Sequence, residues 1–106
     1  MENLTLEKLQ ELKQAEKTVY LFTTTWCGDC HYIKPFMPEI VEKFADFTFV
    51  EVDRDEFMPF AQEHSVMGIP SFITYNKGEE VSRWVNGDRK TQAEIEAYLE
   101  ETREKI

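Results

Sequence analysis

Two cysteines stand three positions apart in the run Cys27-Gly28-Asp29-Cys30, and the chain of 106 residues has no others. Dithiol exchange needs one accessible thiolate to attack a disulfide and a second thiol close enough to resolve the mixed disulfide that forms. A pair at the mouth of a helix supplies both. Residues three apart share a helix face, and a cysteine at the helix start meets unpaired backbone N–H groups and the positive end of the dipole, which lower its pKa. Cys27 is therefore read as the nucleophile and Cys30, one turn deeper, as the resolving thiol. As a structural staple the pair closes too short a loop to restrain the unfolded chain much. Half of a zinc site, two inert core cysteines, or a share of an iron–sulfur cluster bridging two subunits are the other readings. A closed zinc site needs two further ligands, and the chain offers only His31 and His64. His31 adjoins Cys30 on the same helix and would project away from the pair. No metal and no cofactor is expected.

The pair has to be positioned, and the order of elements around it shows how. Residues 18 to 24, Thr-Val-Tyr-Leu-Phe-Thr-Thr, are β-branched or aromatic almost throughout, as in a strand buried on both faces, and they run straight into the motif. From about Gly28 to Ala45 apolar residues return at helical spacing through Ile33, Phe36, Met37, Ile40, Val41 and Phe44, with Pro35 and Pro38 predicting a kink. Residues 47 to 52 read as a second strand and 55 to 63 as a short helix with Pro59 in its first turns, which makes a βαβ unit with a parallel pair. Residues 71 to 75 and 81 to 85 read as an antiparallel hairpin turning through Asn76-Lys77-Gly78-Glu79. Leu4, Leu6, Leu9 and Leu12 outline a first helix over 5 to 16, capped by Thr5. Ile95, Tyr98 and Leu99 face inward on a last one over 91 to 104. A mixed sheet of four strands, or five if residues 2 to 4 also pair, covered by helices on both faces, is the expected α/β architecture.

Length and composition agree with a single domain spanning 1 to 106: 42% of residues are apolar, with eight Phe, four Tyr and two Trp. The net charge of −9, from 21 acids against 12 Lys and Arg, repels nucleic acid and anionic membranes, so neither is an expected partner. No basic start followed by an apolar stretch and no run of 18 apolar residues occurs, which leads to the expectation of a cytoplasmic protein; a monomer is also expected. The acidic residues of the last helix, among them Glu94, Glu96 and Glu100, read as a solvated face.

Taken together the motifs resemble the thioredoxin family. Trp26-Cys27-Gly28-Asp29-Cys30 follows a buried strand, Pro35 lies five residues past the second cysteine, Gly68-Ile69-Pro70-Ser71 precedes the third main strand, and Gly87 follows the last. The likeness covers residues 18 to 99. It implies a thioredoxin-like fold and a protein-disulfide reductase that cycles between dithiol and disulfide, with disulfide-containing proteins as substrates and a thioredoxin reductase or similar dithiol donor to recycle it. It also implies that Pro70 is cis and faces the cysteines, that the backbone of Ile69 pairs with an extended substrate strand, and that Trp26 shields the disulfide and forms part of the substrate platform, beside Gly28 and Asp29 as site-shaping residues. A trans proline at the start of a strand and a plain core tryptophan are the structural alternatives.

The pattern also departs from the family. Thioredoxins carry a buried Asp six positions before the first cysteine and a Lys in the next strand, and the corresponding residues here read as Leu21 and Phe49. That opens a second functional reading, a thioredoxin-like binding module with slow redox turnover. Asp29 replaces the family's usual proline. As an acid in a first helical turn it contributes ~0.3 to 1 kcal/mol. A carboxylate about 7 Å from the Cys27 sulfur also disfavours the thiolate by roughly 0.5 to 2 kcal/mol, which corresponds to about 10 to 40 mV toward a more reducing protein. Asp29 is in addition a candidate proton acceptor. His31 reads as exposed, and His64 as a loop residue without a partner.

Overall fold

The computed structural model describes residues 4–106. Helix α1 (Leu6–Leu12) leads into β1 (Thr18–Thr23), and α2 (Gly28–Ile33) continues through a 3-10 turn at Lys34–Phe36 into α3 (Met37–Lys43). Then come β2 (Thr48–Asp53), α4 (Met58–Glu63), β3 (Ser71–Asn76), β4 (Glu79–Trp84) and α5 (Gln92–Glu104). The expected kink is the 3-10 turn, where Pro35 removes a helical N–H donor. The short strand suggested for residues 2 to 4 falls largely outside the described residues. Among those described the sheet has four strands in the order β2-β1-β3-β4. The first helix stops at Leu12, short of the expected residue 16, and the fourth begins at Met58, three residues later than expected, with Pro59 in its first turn.

Strand β1 is central, parallel to β2 and antiparallel to β3, and all six of its residues are buried. Its alternation divides the core. Tyr20 and Phe22 meet Leu9, Phe60 and Ile73 on one face, while Val19 and Leu21 meet Ile33, Ile40, Phe72, Ile95 and Leu99 on the other. Each such large apolar side chain stabilises the fold by about 1.5–3 kcal/mol. Val41, read from periodicity as inward, is exposed instead, because it lies beside the stripe of Ile33, Met37, Ile40 and Phe44 that packs on the sheet. The Tyr20 hydroxyl donates to the Leu9 carbonyl at 2.6 Å, and burial pushes its pKa up. Thr5 caps α1 through its hydroxyl, and Thr91 with Glu94 forms a reciprocal capping box on α5. The β3–β4 turn uses Lys77 at φ 52° and Gly78 at φ 89°, two successive left-handed residues, as a tight hairpin of this twist requires.

His64 is not a partnerless loop residue. It ends α4, only 6% exposed, with its ring centroid 4.3 Å from that of Phe60 and Nδ1 donating to the Phe60 carbonyl at 2.7 Å. Burial, then Lys13 and Arg83, push its pKa down against the opposing pull of that carbonyl and Glu63. The folded chain thus resists protonation that the unfolded chain accepts from about pH 6.5 downward. Stability is held above that pH and falls as pH drops through it toward the lower folded value. In urea melts from about pH 7.5 to 5 the parent is expected to lose stability faster than His64→Gln, by at most about 1.4 kcal/mol per pH unit for one proton. Parallel profiles overturn this assignment.

Candidate active site

The two cysteines sit where β1 hands over to α2. Cys27 is the N-cap of α2, and its Sγ accepts the backbone N–H of Cys30 at 3.1 Å. The sulfurs form a disulfide across a Cα–Cα distance of 5.2 Å. Exposure barely separates them, at 7% for Cys27 and 4% for Cys30. Their surroundings do. Cys27 Sγ lies 4.0 Å from the Ile69 carbonyl oxygen, at the edge of the loop before β3, whereas Cys30 lines a cleft that runs beneath the helix toward β2.

The Ile69–Pro70 peptide is cis. Its loop is held in place by the chain around residues 86 and 87. A Cβ on Gly68 would come within 2.5 Å of the backbone of Asn86 and Gly87, so only glycine lets the two loops approach this closely. The Ser71 hydroxyl donates to the Gly68 carbonyl at 2.6 Å. The second loop is tied in turn by Lys90, fully buried, whose ammonium donates to Asn86 Oδ1 at 2.9 Å and to the Asp88 carbonyl at 3.0 Å and lies 5.0 Å from the centre of the Trp84 ring. Desolvation lowers its pKa, against the nearby acids Asp88, Asp29 and Glu94. Nothing in the sequence singles out Lys90 among the twelve basic residues; only its place between two loops does.

Trp26 is 64% exposed, which sets aside the core alternative. Its indole N–H donates to Asp55 Oδ2 at 2.7 Å, and the Arg54 guanidinium lies 5.4 Å from the ring centre. That hydrogen bond is the main reason the Asp55 carboxyl lies below the usual carboxylate range. Asp29 is paired, its Oδ1 accepting from Arg89 Nε at 3.0 Å, while the Arg89 guanidinium lies 4.4 Å from the centre of the Tyr32 ring. A cation sixty residues away in sequence thus opposes the field expected from a lone carboxylate at Cys27. His31 is exposed, with Nε2 bonded to the Thr25 carbonyl at 2.7 Å, so it ties the helix to the loop before the cysteines. A Cβ on Gly28 would meet no atom within 4 Å, so this glycine is not demanded by packing.

Leu21 is buried on the face toward α3, as its apolar character requires. Phe49 pairs with Val19, one step away from the cysteines; the residue opposite Leu21 is Glu51. Sequence reading missed Glu51 because a parallel register is set by where the two strands start, and no local signal marks that offset.

A βαβ unit followed by a β-hairpin, with a cysteine pair at the start of the helix after β1 and the carbonyl that precedes a cis proline beside Cys27, defines a thioredoxin-fold disulfide site. The family model described as Thioredoxin matches residues 3–101. Thioredoxin H-type of Fagopyrum esculentum is 39% identical over 87 residues, 81% of this chain and 74% of its own. The mitochondrial thioredoxin-2 of Schizosaccharomyces pombe is 36% identical over 84 residues, 79% of this chain and 63% of its own. The crystal structure of thioredoxin from Trypanosoma brucei brucei superposes with a TM-score of 0.83 at 23% identity, covering 94% of this chain and 87% of that one. The chain belongs to the thioredoxin family and is a thiol-disulfide oxidoreductase.

Proposed function

We propose that the protein reduces disulfides in other proteins, with Cys27 attacking and Cys30 resolving. The Cys27 thiolate attacks a substrate disulfide and forms a mixed disulfide, releasing the first substrate thiolate. Cys30 then attacks Cys27 Sγ, the Cys27–Cys30 bond forms, and the second substrate thiolate leaves, so two electrons pass to the substrate. A dithiol donor such as a thioredoxin reductase returns them. The cap carries this reading: an N–H aimed at Cys27 Sγ stabilises negative charge there. The exposed Trp26 and the Ile69 backbone beside Cys27 suit an extended substrate segment, and Asp29 and Gly28 shape the rim. Residues 1 to 106 act as one domain and as a monomer. A reducing compartment such as the cytoplasm is where a protein of this direction works.

The experiment is the potential of the Cys27–Cys30 pair, equilibrated against glutathione. A value below about −220 mV is expected, and one near about −120 mV, that of a strong oxidant, overturns the direction. Because Asp29 and Arg89 offset each other, removing either uncovers the other. Asp29→Asn is expected to raise the potential by about 10–20 mV, since the remaining cation favours the thiolate, and Arg89→Ala to lower it by a similar amount. Shifts of the same sign in both variants contradict the pairing. The buried, apolar Leu21 favours the second reading, a binding module with slow turnover.

A further inference from the structure

Resolution requires Cys30 as a thiolate, and at 4% exposure its proton has to leave by a path inside the protein. A cleft of about 390 Å³ lined by Cys30, Thr23, Thr24 and Glu51 offers one. A second cavity of about 150 Å³, between the helix and β2, is also lined by Cys30, Thr23 and Glu51, so the same three residues border both. The parallel register brings Glu51 alongside the end of β1, and there the Thr23 hydroxyl donates to Glu51 Oε2 at 3.0 Å. Thr24, 5% exposed, lines the larger cleft, and among the described residues its hydroxyl has no partner, the situation of a buried group that bonds water.

The other titratable groups of the cleft are engaged or unsuited. His31 is exposed, its Nε2 donates to the Thr25 carbonyl, and among the described residues it shares no hydrogen bond with Thr23, Glu51 or Cys30. Asp53 Oδ1 accepts the backbone N–H groups of Asp55 and Glu56 at 2.9 and 3.2 Å. Lys34 is a cation and cannot accept, and Glu56 shares no hydrogen bond with the residues beside Cys30. Asp29 is held by Arg89 outside the cleft.

We infer that Glu51, acting through the Thr23 hydroxyl and the solvent of the cleft, takes the proton from Cys30 as Cys30 attacks the mixed disulfide. The Cys30 S–H bond breaks, its electron pair forms the bond to Cys27 Sγ, the Cys27–substrate bond breaks, and the substrate thiolate leaves. Glu51 is exposed, so it passes the proton to bulk water and need not retain it. This inference rests on Cys30 being the resolving thiol.

The test uses the reduced protein mixed with 5,5′-dithiobis(2-nitrobenzoate) in a stopped-flow instrument. The first thionitrobenzoate released reports attack by Cys27, and the second reports resolution by Cys30. Glu51→Gln keeps an acceptor oxygen for Thr23 but cannot take up a proton. It is expected to slow the second phase about ten-fold near neutral pH while leaving the first within about two-fold. The deficit should shrink as pH rises and hydroxide takes over as the base. Glu51→Asp and Thr23→Ser should recover most of the second phase, Thr23→Val should lose it, and Glu56→Gln should match the parent. A second phase in Glu51→Gln within about two-fold of the parent at every pH, equal slowing of both phases, or equal slowing in Glu56→Gln overturns the role of Glu51. A parent protein that releases only one thionitrobenzoate instead overturns Cys30 as the resolving thiol.

Discussion

Replacing Cys30 by serine is expected to stop turnover at the mixed disulfide, leaving Cys27 joined to its substrate. Steady-state reduction of insulin with a thioredoxin reductase as donor should fall by at least about 100-fold, because no second sulfur is in reach of Cys27. Cys27→Ser should lose activity to the same extent but trap nothing, since the group capped by the Cys30 N–H is then a hydroxyl. The contrast between the variants carries the information. Long-lived, dithiothreitol-sensitive adducts with Cys30→Ser, absent with Cys27→Ser, support the assigned order of attack. Adducts of the opposite pattern reverse it. If the parent reduces insulin no faster than dithiothreitol alone and neither variant traps protein, the binding-module reading displaces the reductase.

Gly68→Ala should be the most damaging change of a single methyl group near the site. The added Cβ would sit 2.5 Å from Asn86 C and Gly87 N, and both are backbone atoms of a loop that Lys90 holds from beneath. Neither side can yield cheaply, so a loss of about 1–3 kcal/mol is expected, or several degrees in Tm. The strain should also appear in chemistry, because Gly68 precedes the Ile69 carbonyl that lies 4.0 Å from Cys27 Sγ. Attack by Cys27 in the folded variant should therefore slow as well. Gly28→Ala is the control, since its Cβ meets nothing within 4 Å, and it should stay within about 0.5 kcal/mol of the parent. If the two alanines are equally tolerated, the packing of the loop before β3 against residues 86 and 87 is looser than the geometry indicates.

Much of the fold was legible because its signals are local. The unbroken β-branched and aromatic run of β1 implies burial on both faces, and Tyr20 with Phe22 and Val19 with Leu21 do divide between the two halves of the core. The prolines at 35 and 38 announced the broken helix, and Lys77-Gly78 the tight turn. Burial of individual residues was less legible, as Val41 and His64 show. The first lies at the edge of the buried stripe of its helix, where periodicity alone does not decide exposure, and the second was buried by an aromatic neighbour four positions earlier and by Tyr75 of β3.

For the site, the sequence alone determined the chemistry. Two thiols one helical turn apart, entered from a buried strand, have a nucleophile and a resolving group built into their spacing, because spacing is local. Tertiary structure decided what surrounds them. It left Trp26 in solvent hydrogen-bonded to Asp55, brought Arg89 onto Asp29, buried Lys90 beneath the loop that packs on Gly68, and set Glu51 rather than Phe49 beside Leu21. Each of those pairings joins segments far apart in the chain. Strand register and loop path choose the partners, and those depend on the whole core packing at once, which no local pattern of residue types encodes.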